Sequence, residues 1–431
     1  MNVDVRQVRT EAEQALATAT AGFAGEAGWV DRARAEALDA FRAAGLPHRR
    51  IEQWKYTDLR AALKTAYPVA APGKAGTAPA DPLADAGFAT LTFVDGALVG
   101  EVPEVDGVSI ATLADALHAD VGSDRDVLSL VPARGSNPVM DLNTAHMNSG
   151  CVVHVAPGAI VETPIHIRSL VTRGDPAGYV SRVGVIVGEG AQATILESFG
   201  GAGAYQRNSA IQIAIGDGAK LHHVRIEDEA DEAVHLSNIV VEIGGEADYQ
   251  EFGLGLGGAL VRTDLSIKFD GEGSNADVDS VFLKTGRQHH DTTMYVDHAV
   301  PNCTSRELFK SVLGGQSHGV FQGKILVRPD AQKTDGAMSA NAIMLSDTAE
   351  MDAKPELEIF ADDVVCGHGA TCGQLDDDLM FFLRARGIPE RDAKALLILA
   401  FIGEALEDVD NETVHDHLLE LTRTWIEKAD I

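Results

Sequence analysis

Turn glycines recur at Gly190, Gly218, Gly245 and Gly273, with spacings of 28, 27 and 28 residues, and this period constrains the fold more than any other feature. Two of the turns are nearly one peptide, Gly188-Glu-Gly-Ala191 and Gly216-Asp-Gly-Ala219. Short β-branched runs lie between and around them: Val183 to Val187, Ala193 to Leu196, Ile211 to Ile215, Ile239 to Ile243 and Leu265 to Phe269. A fixed period of this size with no helical pattern inside it predicts strands stacked coil upon coil. The expected class is mainly β, a β-helix or flattened solenoid, with an antiparallel sandwich of regular hairpins as the competing arrangement.

Around this core the texture divides the chain into five segments. Residues 1–66 carry helical apolar spacing, and Gly45-Leu46-Pro47 ends a helix. The opening stretch, residues 1–14, has no long apolar run and reads as an amphipathic helix, not a signal peptide. Residues 67–88 form a Pro/Ala/Gly linker. Residues 89–139 connect it to the core, beginning with a hairpin from Leu91 to Val99 around Asp95-Gly96. The β-helix core spans 140–362. Residues 363–431 form a helical domain, with Asp376 to Arg386 closed by Gly387 and a second helix opened by Pro389. That second helix presents Ala393, Leu396, Leu397, Ala400 and Phe401 as one stripe. Ile398, Leu399 and Ile402 make it apolar almost all round. A third helix, from about Glu412, aligns Val414, Leu418, Leu421 and Trp425. An all-round apolar helix needs cover, from this chain or from a partner.

The net charge of −30 repels duplex phosphate and anionic membrane surfaces, so neither nucleic acid nor membrane is expected as a partner. The longest apolar run, Ala395 to Ile402, is far short of the ~20 residues that cross a bilayer. Four cysteines, widely spread except for the last two, make no secreted disulfide framework. A soluble, cytoplasmic protein is expected.

Several motifs invite a functional reading. Gly253-Leu-Gly-Leu-Gly-Gly258 fits a dinucleotide pattern, but the strand-like Ala259 to Phe269 follows where a helix is required. Gly319-Val-Phe-Gln-Gly-Lys324 imitates a phosphate loop, yet His318 replaces its first glycine and Ile325 its magnesium-binding hydroxyl. No nucleotide is therefore expected on this chain. His289-His290-Asp291 with His298 is the densest imidazole cluster, read chiefly as surface or turn histidines because neighbours on a strand face opposite ways. Cys366-Gly-His-Gly-Ala-Thr-Cys372 is the sharpest local signal. Its glycines permit a tight bend that would bring Cys366 and His368 to one metal, with Cys372 as a possible further ligand. A zinc-binding protein using Cys366, His368 and Cys372 is one alternative. A β-helix enzyme acting on carbohydrate or acyl groups through His222, His223 and Asp264 is another.

Taken together, the motifs resemble the SufD family of iron–sulfur cluster assembly scaffolds. The resemblance is strongest in Asp297 to Arg306, Gly319 to Ile325, Arg328 to Asp335, Lys354 to Ile359 and Ala361 to Thr371, with an N-terminal echo in Glu52-Gln-Trp-Lys-Tyr-Thr57. It implies a central right-handed parallel β-helix flanked by N-terminal and C-terminal helices. It further implies a non-catalytic scaffold, paired with SufB through the β-helix ends and docking the ATPase SufC on its C-terminal helices. Phe381, Phe382, Arg386, Ile388, Pro389, Leu397 and Phe401 are the residues expected to dock SufC. A transient Fe–S cluster would form at the SufB interface, with the family's histidine mapping onto His368 and its cysteine onto Cys366. Without SufB, a homodimer is plausible through the same open face. Two stretches depart from the family pattern: Cys372 stands at a small apolar position, and Met338 to Ser346 lacks the usual glutamine.

Overall fold

The computed structural model describes residues 9–19, 26–71, 76–118 and 122–429. The expectation of a helix at the extreme N-terminus lies partly outside them; within them, Glu11–Thr18 is helical behind a capping box from Thr10 and Glu13. Successive strands alternate between two sheets, ten-stranded and nine-stranded, and every strand pair from Ser149 onward is parallel. The fold is therefore a parallel β-solenoid and not the antiparallel sandwich. Its coils stack in register: Val183, Ile211, Ile239, Leu265 and Met294 form one inward column of the nine-stranded sheet. Pleating sends alternate side chains in and out, so the inward columns are buried through the body of the solenoid and open only at its last coil.

One column of turns shows why glycine recurs. Gly190 (φ 67°), Gly218 (φ 66°), Glu246 (φ 52°) and Gly273 (φ 75°) all occupy the left-handed region. Each N–H reaches the next coil, Gly190 N to Asp217 O and Gly218 N to Gly245 O, at 2.8 and 2.7 Å. The left-handed residue of the third turn is thus Glu246, one position beyond the Gly245 of the sequence period. Gly271 is needed for a different reason, because a Cβ there would lie 1.9 Å from the Gly245 nitrogen.

The hairpin lies where expected, Ala89–Val94 against Ala97–Val99, and its first strand joins the ten-stranded sheet beside Ile165–Val171. The linker is strapped to the solenoid: Gly178 N donates to Pro68 O, and Arg168 donates to the carbonyls of Pro79 and Ala80. At the other end, strand Val365–Gly373 completes the last coil. The solenoid therefore runs past a boundary at 362/363, and the helical part begins with Asp377–Arg384.

Helices cover both sheets. Trp54, Leu59 and Phe41 pack with Leu236 and Leu260 of the nine-stranded sheet. Helices Glu390–Leu406 and Glu412–Lys428 cover the ten-stranded sheet, burying Ile398, Ile402, Val414 and Leu418 on Val224, Phe252, Val281 and Val312. The buried face of Glu390–Leu406 is Ala393, Ile398, Ile402, Ala405 and Leu406. Of the expected stripe, Ala393 is buried and Phe401 half-buried, while Leu396, Leu397 and Ala400 face largely outward, with Leu396 48% exposed, because the all-round apolar pattern did not fix which side meets the sheet. Among the described residues, no helix is long and apolar enough to cross a membrane.

Candidate functional site

The Cys366–Cys372 segment is an extended strand and not the tight bend that its glycines permitted. Its register is Gly336 to Cys366, Met338 to His368, Ala340 to Ala370 and Ala342 to Cys372. Gly336, Met338, Ala340 and Ala342 face inward and are buried, so Cys366 and His368 share the inward side of the last coil. Two residues along a strand place their Cα atoms about 7 Å apart, close enough for both side chains to reach one small cargo. Cys372 lies about 20 Å from Cys366 on the same rise, so the three do not converge on one ion.

Cys366 is half-buried against the core and its thiol lies over Gly336. Burial, aided by the carboxylates of Asp335 and Glu307, pushes this thiol up from its ordinary value, so an incoming metal must displace its proton. His368 is exposed. Beneath it the inward column continues through Met338 to Glu307 and Val278. Glu307 is buried, and burial pushes its carboxyl up to about 8. Sequence reading missed Glu307 and Met338. The signal was available only by aligning strands at the 26- to 32-residue offsets the coils use.

Among the described residues, the last coil has no strand beyond it. Glu350–Ile359 and Val365–Gly373 end their sheets and carry unpaired backbone along their outer edges. A Cβ at Gly367, Gly369 or Gly373 would meet nothing within 4 Å, so packing inside this chain does not require these glycines. Small residues on a free edge leave room for another backbone to approach closely. Ile359, Phe360 and Val365 add exposed apolar surface, at 40, 56 and 72%.

Beside this edge, helix Asp377–Arg384 buries none of its residues. Leu379, Phe381 and Phe382 are 50, 75 and 50% exposed, and Arg386 stacks on Phe382 with 3.3 Å to the ring centroid. Ile388 and Leu397 are half-buried and Pro389 is exposed. Phe401 instead turns toward the solenoid, its ring 4.7 Å from Lys310 Nζ.

The remaining motifs are structural in this arrangement. Gly253–Gly258 leads into strand Leu260–Phe269, and Gly319–Lys324 lies within strand His318–Val327, with neither forming a loop at a helix start. The histidine cluster is not on the surface or in turns but in strand His289–His298. His290 stacks on Phe282 and His298 on Phe269, at 4.3 and 4.5 Å between centroids. Burial lowers His289 and His298 to about 4, so both are neutral. His289 meets Thr57, which also bonds Asp291, while Asp291 pairs with Arg262 under the Trp54 ring. This knot fastens the N-terminal segment to the solenoid. His222 faces outward, His223 faces inward to Glu197 and Tyr249, and Asp264 sits on the other sheet with Arg134. His222, His223 and Asp264 therefore do not form the array that a β-helix enzyme acting on carbohydrate or acyl groups would need.

The SUF system FeS cluster assembly, SufBD core domain model matches residues 170–401, and the SufBD protein N-terminal region model matches 19–79. The chain is 30% identical over 393 residues to the iron–sulfur cluster assembly protein SufD of Escherichia coli, covering 87% of this chain and 88% of that one. A SufBD family protein of Synechocystis is 30% identical over 394 residues, covering 87 and 86%. The SufD of Bacillus subtilis is 24% identical over 285 residues, covering 64% of each.

Proposed function

The chain belongs to the SufBD family of iron–sulfur cluster assembly proteins, and we propose that it acts there as a scaffold subunit, not as an enzyme. In this reading its partner SufB continues the solenoid across the open last coil. SufC, the ATPase, docks on the exposed Phe381–Phe382 helix and its neighbours. Iron and sulfide, the cargo, assemble between the two solenoids with Cys366 and His368 as this chain's ligands. The protein works in the cytoplasm.

One observation carries the reading: Cys366 and His368 stand side by side on a strand whose edge is open and lined with glycines that its own fold does not need. A neutral imidazole holds iron less firmly than a thiolate, which suits a cluster that must leave. The route from ATP to the site is short. Ile398 and Ile402 pack on the sheet that carries His368, and Lys310 of that sheet donates to the Phe401 carbonyl at 2.6 Å. A pull on the C-terminal helices therefore reaches the last coil. In this reading ATP belongs to SufC, and Lys324 within its strand agrees with that.

The test is co-expression with SufB and SufC, wild type beside His368→Ala, followed by anaerobic reconstitution and assay of bound iron and sulfide. The expected result is an intact ternary complex with cluster lost or sharply reduced in the variant. A variant complex with unchanged iron and sulfide would move the site elsewhere, and failure to retain SufC would remove the scaffold assignment. Alone, the open edge is expected to pair with a second copy of the chain.

A further inference from the structure

A second polar feature lies outside the last coil, on the outer face of the ten-stranded sheet. One outward column there runs Leu196, Val224, Phe252, Asp279, Leu308 across five successive strands. Asp279 is the one charge in this apolar ladder. It is 7% exposed, and its Oδ2 has no hydrogen-bond partner. A lone carboxylate in such a column is costly unless something compensates it. The column beside it is polar: Thr194, His222, Gln250, Asp277.

These two columns floor a cleft of about 270 Å³, roofed by the corner between the last two helices, Asp408 to Asn411. Asp408 lines the same cleft as Asp279. Burial first, and then Asp408, push Asp279 up to about 8. Asp277 and Asp410 also line the cleft, and Asp410 lies 3.7 Å from His222 Nδ1. The basic side chains of the next strand do not neutralise this group. Arg306 is engaged by Asp335 at 2.8 Å, and Lys310 by Glu404 and the Phe401 carbonyl.

We propose that this cleft binds one divalent cation of the hard, oxygen-seeking class, bridged by Asp279 and Asp408 with Asp277 and Asp410 completing its shell. The donor set decides the class: carboxylates, the Gln250 amide and one imidazole, with no thiolate, suit Mg²⁺, Mn²⁺, Ca²⁺ or Fe²⁺ over soft metals. Among the described residues no three such ligands already converge on one point. Asp410, 78% exposed, is free to swing inward when the ion arrives. The bound ion rivets the corner between the last two helices to the solenoid strand beneath it.

Mn²⁺ is the probe, followed by loss of the free-ion electron paramagnetic resonance signal on titration of the full chain. Wild type is expected to show one saturable equivalent, weakened about tenfold or more by Asp408→Asn and by Asp279→Asn. Asp408→Asn alters an exposed turn residue, so its fold is not at risk. Mn²⁺ should raise the melting temperature of wild type and leave that of Asp408→Asn unmoved. A Cys366→Ser/His368→Ala variant should bind as wild type does, which keeps this outcome separate from the cluster reading. No saturable equivalent, or one that survives both Asp substitutions, overturns the proposal. So does a melting temperature raised by Asp408→Asn with no Mn²⁺ response in wild type, since the pair would then hold only a proton.

Discussion

Glu307 gives the sharpest test of the solenoid interior. A carboxyl that titrates near 4.5 in the unfolded chain and about 8 in the folded one keeps its proton through neutral pH only when folded. The cause is burial, which the Ser305 hydroxyl and the Arg306 charge offset only in part. Between those two pH values the native state binds more protons than the unfolded state, so stability falls as pH rises. The stability is whole below about pH 4.5 and declines by roughly 1.4 kcal/mol per pH unit, to a loss of about 5 kcal/mol by pH 8. At pH 7 the loss is about 3 kcal/mol. Glu307→Gln keeps the shape and removes the titration. Urea unfolding of both proteins from pH 5 to pH 8 reads the difference directly. The variant should exceed wild type by under about 1 kcal/mol at pH 5 and by several kcal/mol at pH 8. Asp279, also pushed up to about 8, adds its own slope to both proteins and cancels in the difference. Parallel curves for the two proteins would refute the claim that Glu307 is buried as a neutral acid beneath Met338 and His368.

Other outcomes follow from packing and exposure. Gly271→Ala forces a Cβ into the backbone of the previous coil and should cost about 3 kcal/mol or more, whereas Gly190→Ala, with open space but φ 67°, should cost about 1 kcal/mol in the same thermal melts. Asp291→Ala leaves the buried Arg262 guanidinium with the Gln53 carbonyl at 3.0 Å and Asp264 at 3.4 Å as its one remaining carboxylate, and should destabilise by about 3–5 kcal/mol in urea unfolding. Phe381→Asp should leave the melting temperature within about 1 °C, since the ring is 75% exposed, while abolishing retention of SufC in a pull-down. Cys372→Ala should leave reconstituted iron and sulfide unchanged, because strand geometry holds that thiol away from Cys366 and His368.

Local signals survived the comparison with structure where one residue type settles the geometry. Asp95-Gly96 turns with φ 53° and 82°, as its hairpin requires, and Gly387 at φ 85° ends the helix before Pro389. The solenoid period was legible because glycine marks turns, yet its phase slipped at Gly245. There the neighbouring Glu246 takes the left-handed conformation at a cost of about 1–2 kcal/mol. What could not be read depends on partners far apart in sequence. The side of Glu390–Leu406 that meets the sheet is chosen by Val224, Phe252 and Val281, over a hundred residues earlier. The histidines of strand His289–His298 gave no sign that Thr57 and Trp54 would cover their neighbours. Cys366 and His368 were singled out by residue type, but their common inward face follows from pleating, and a glycine-rich heptapeptide does not announce a strand.

The two ends of the solenoid are built differently, and the difference argues for direction in assembly. At the N-terminal end the last parallel strand of each sheet is met by a short antiparallel one. Ala97–Val99 closes on Ala89–Val94, and Val108–Thr112 closes on Ser149–Val155. A short strand running the wrong way cannot template another full coil, so stacking stops there. At the C-terminal end nothing of the kind occurs among the described residues: two strands of 10 and 9 residues end their sheets at full length. Repeat proteins remain monomeric by capping both ends, and a chain that caps one end and leaves the other open is soluble alone only at the expense of exposed edge. The cysteine and histidine proposed as ligands stand on the uncapped end. A ligand pair placed there is incomplete by construction, and it is completed only when a second surface seats against the edge. The capped end offers no such place, so the proposed partner has one way to approach.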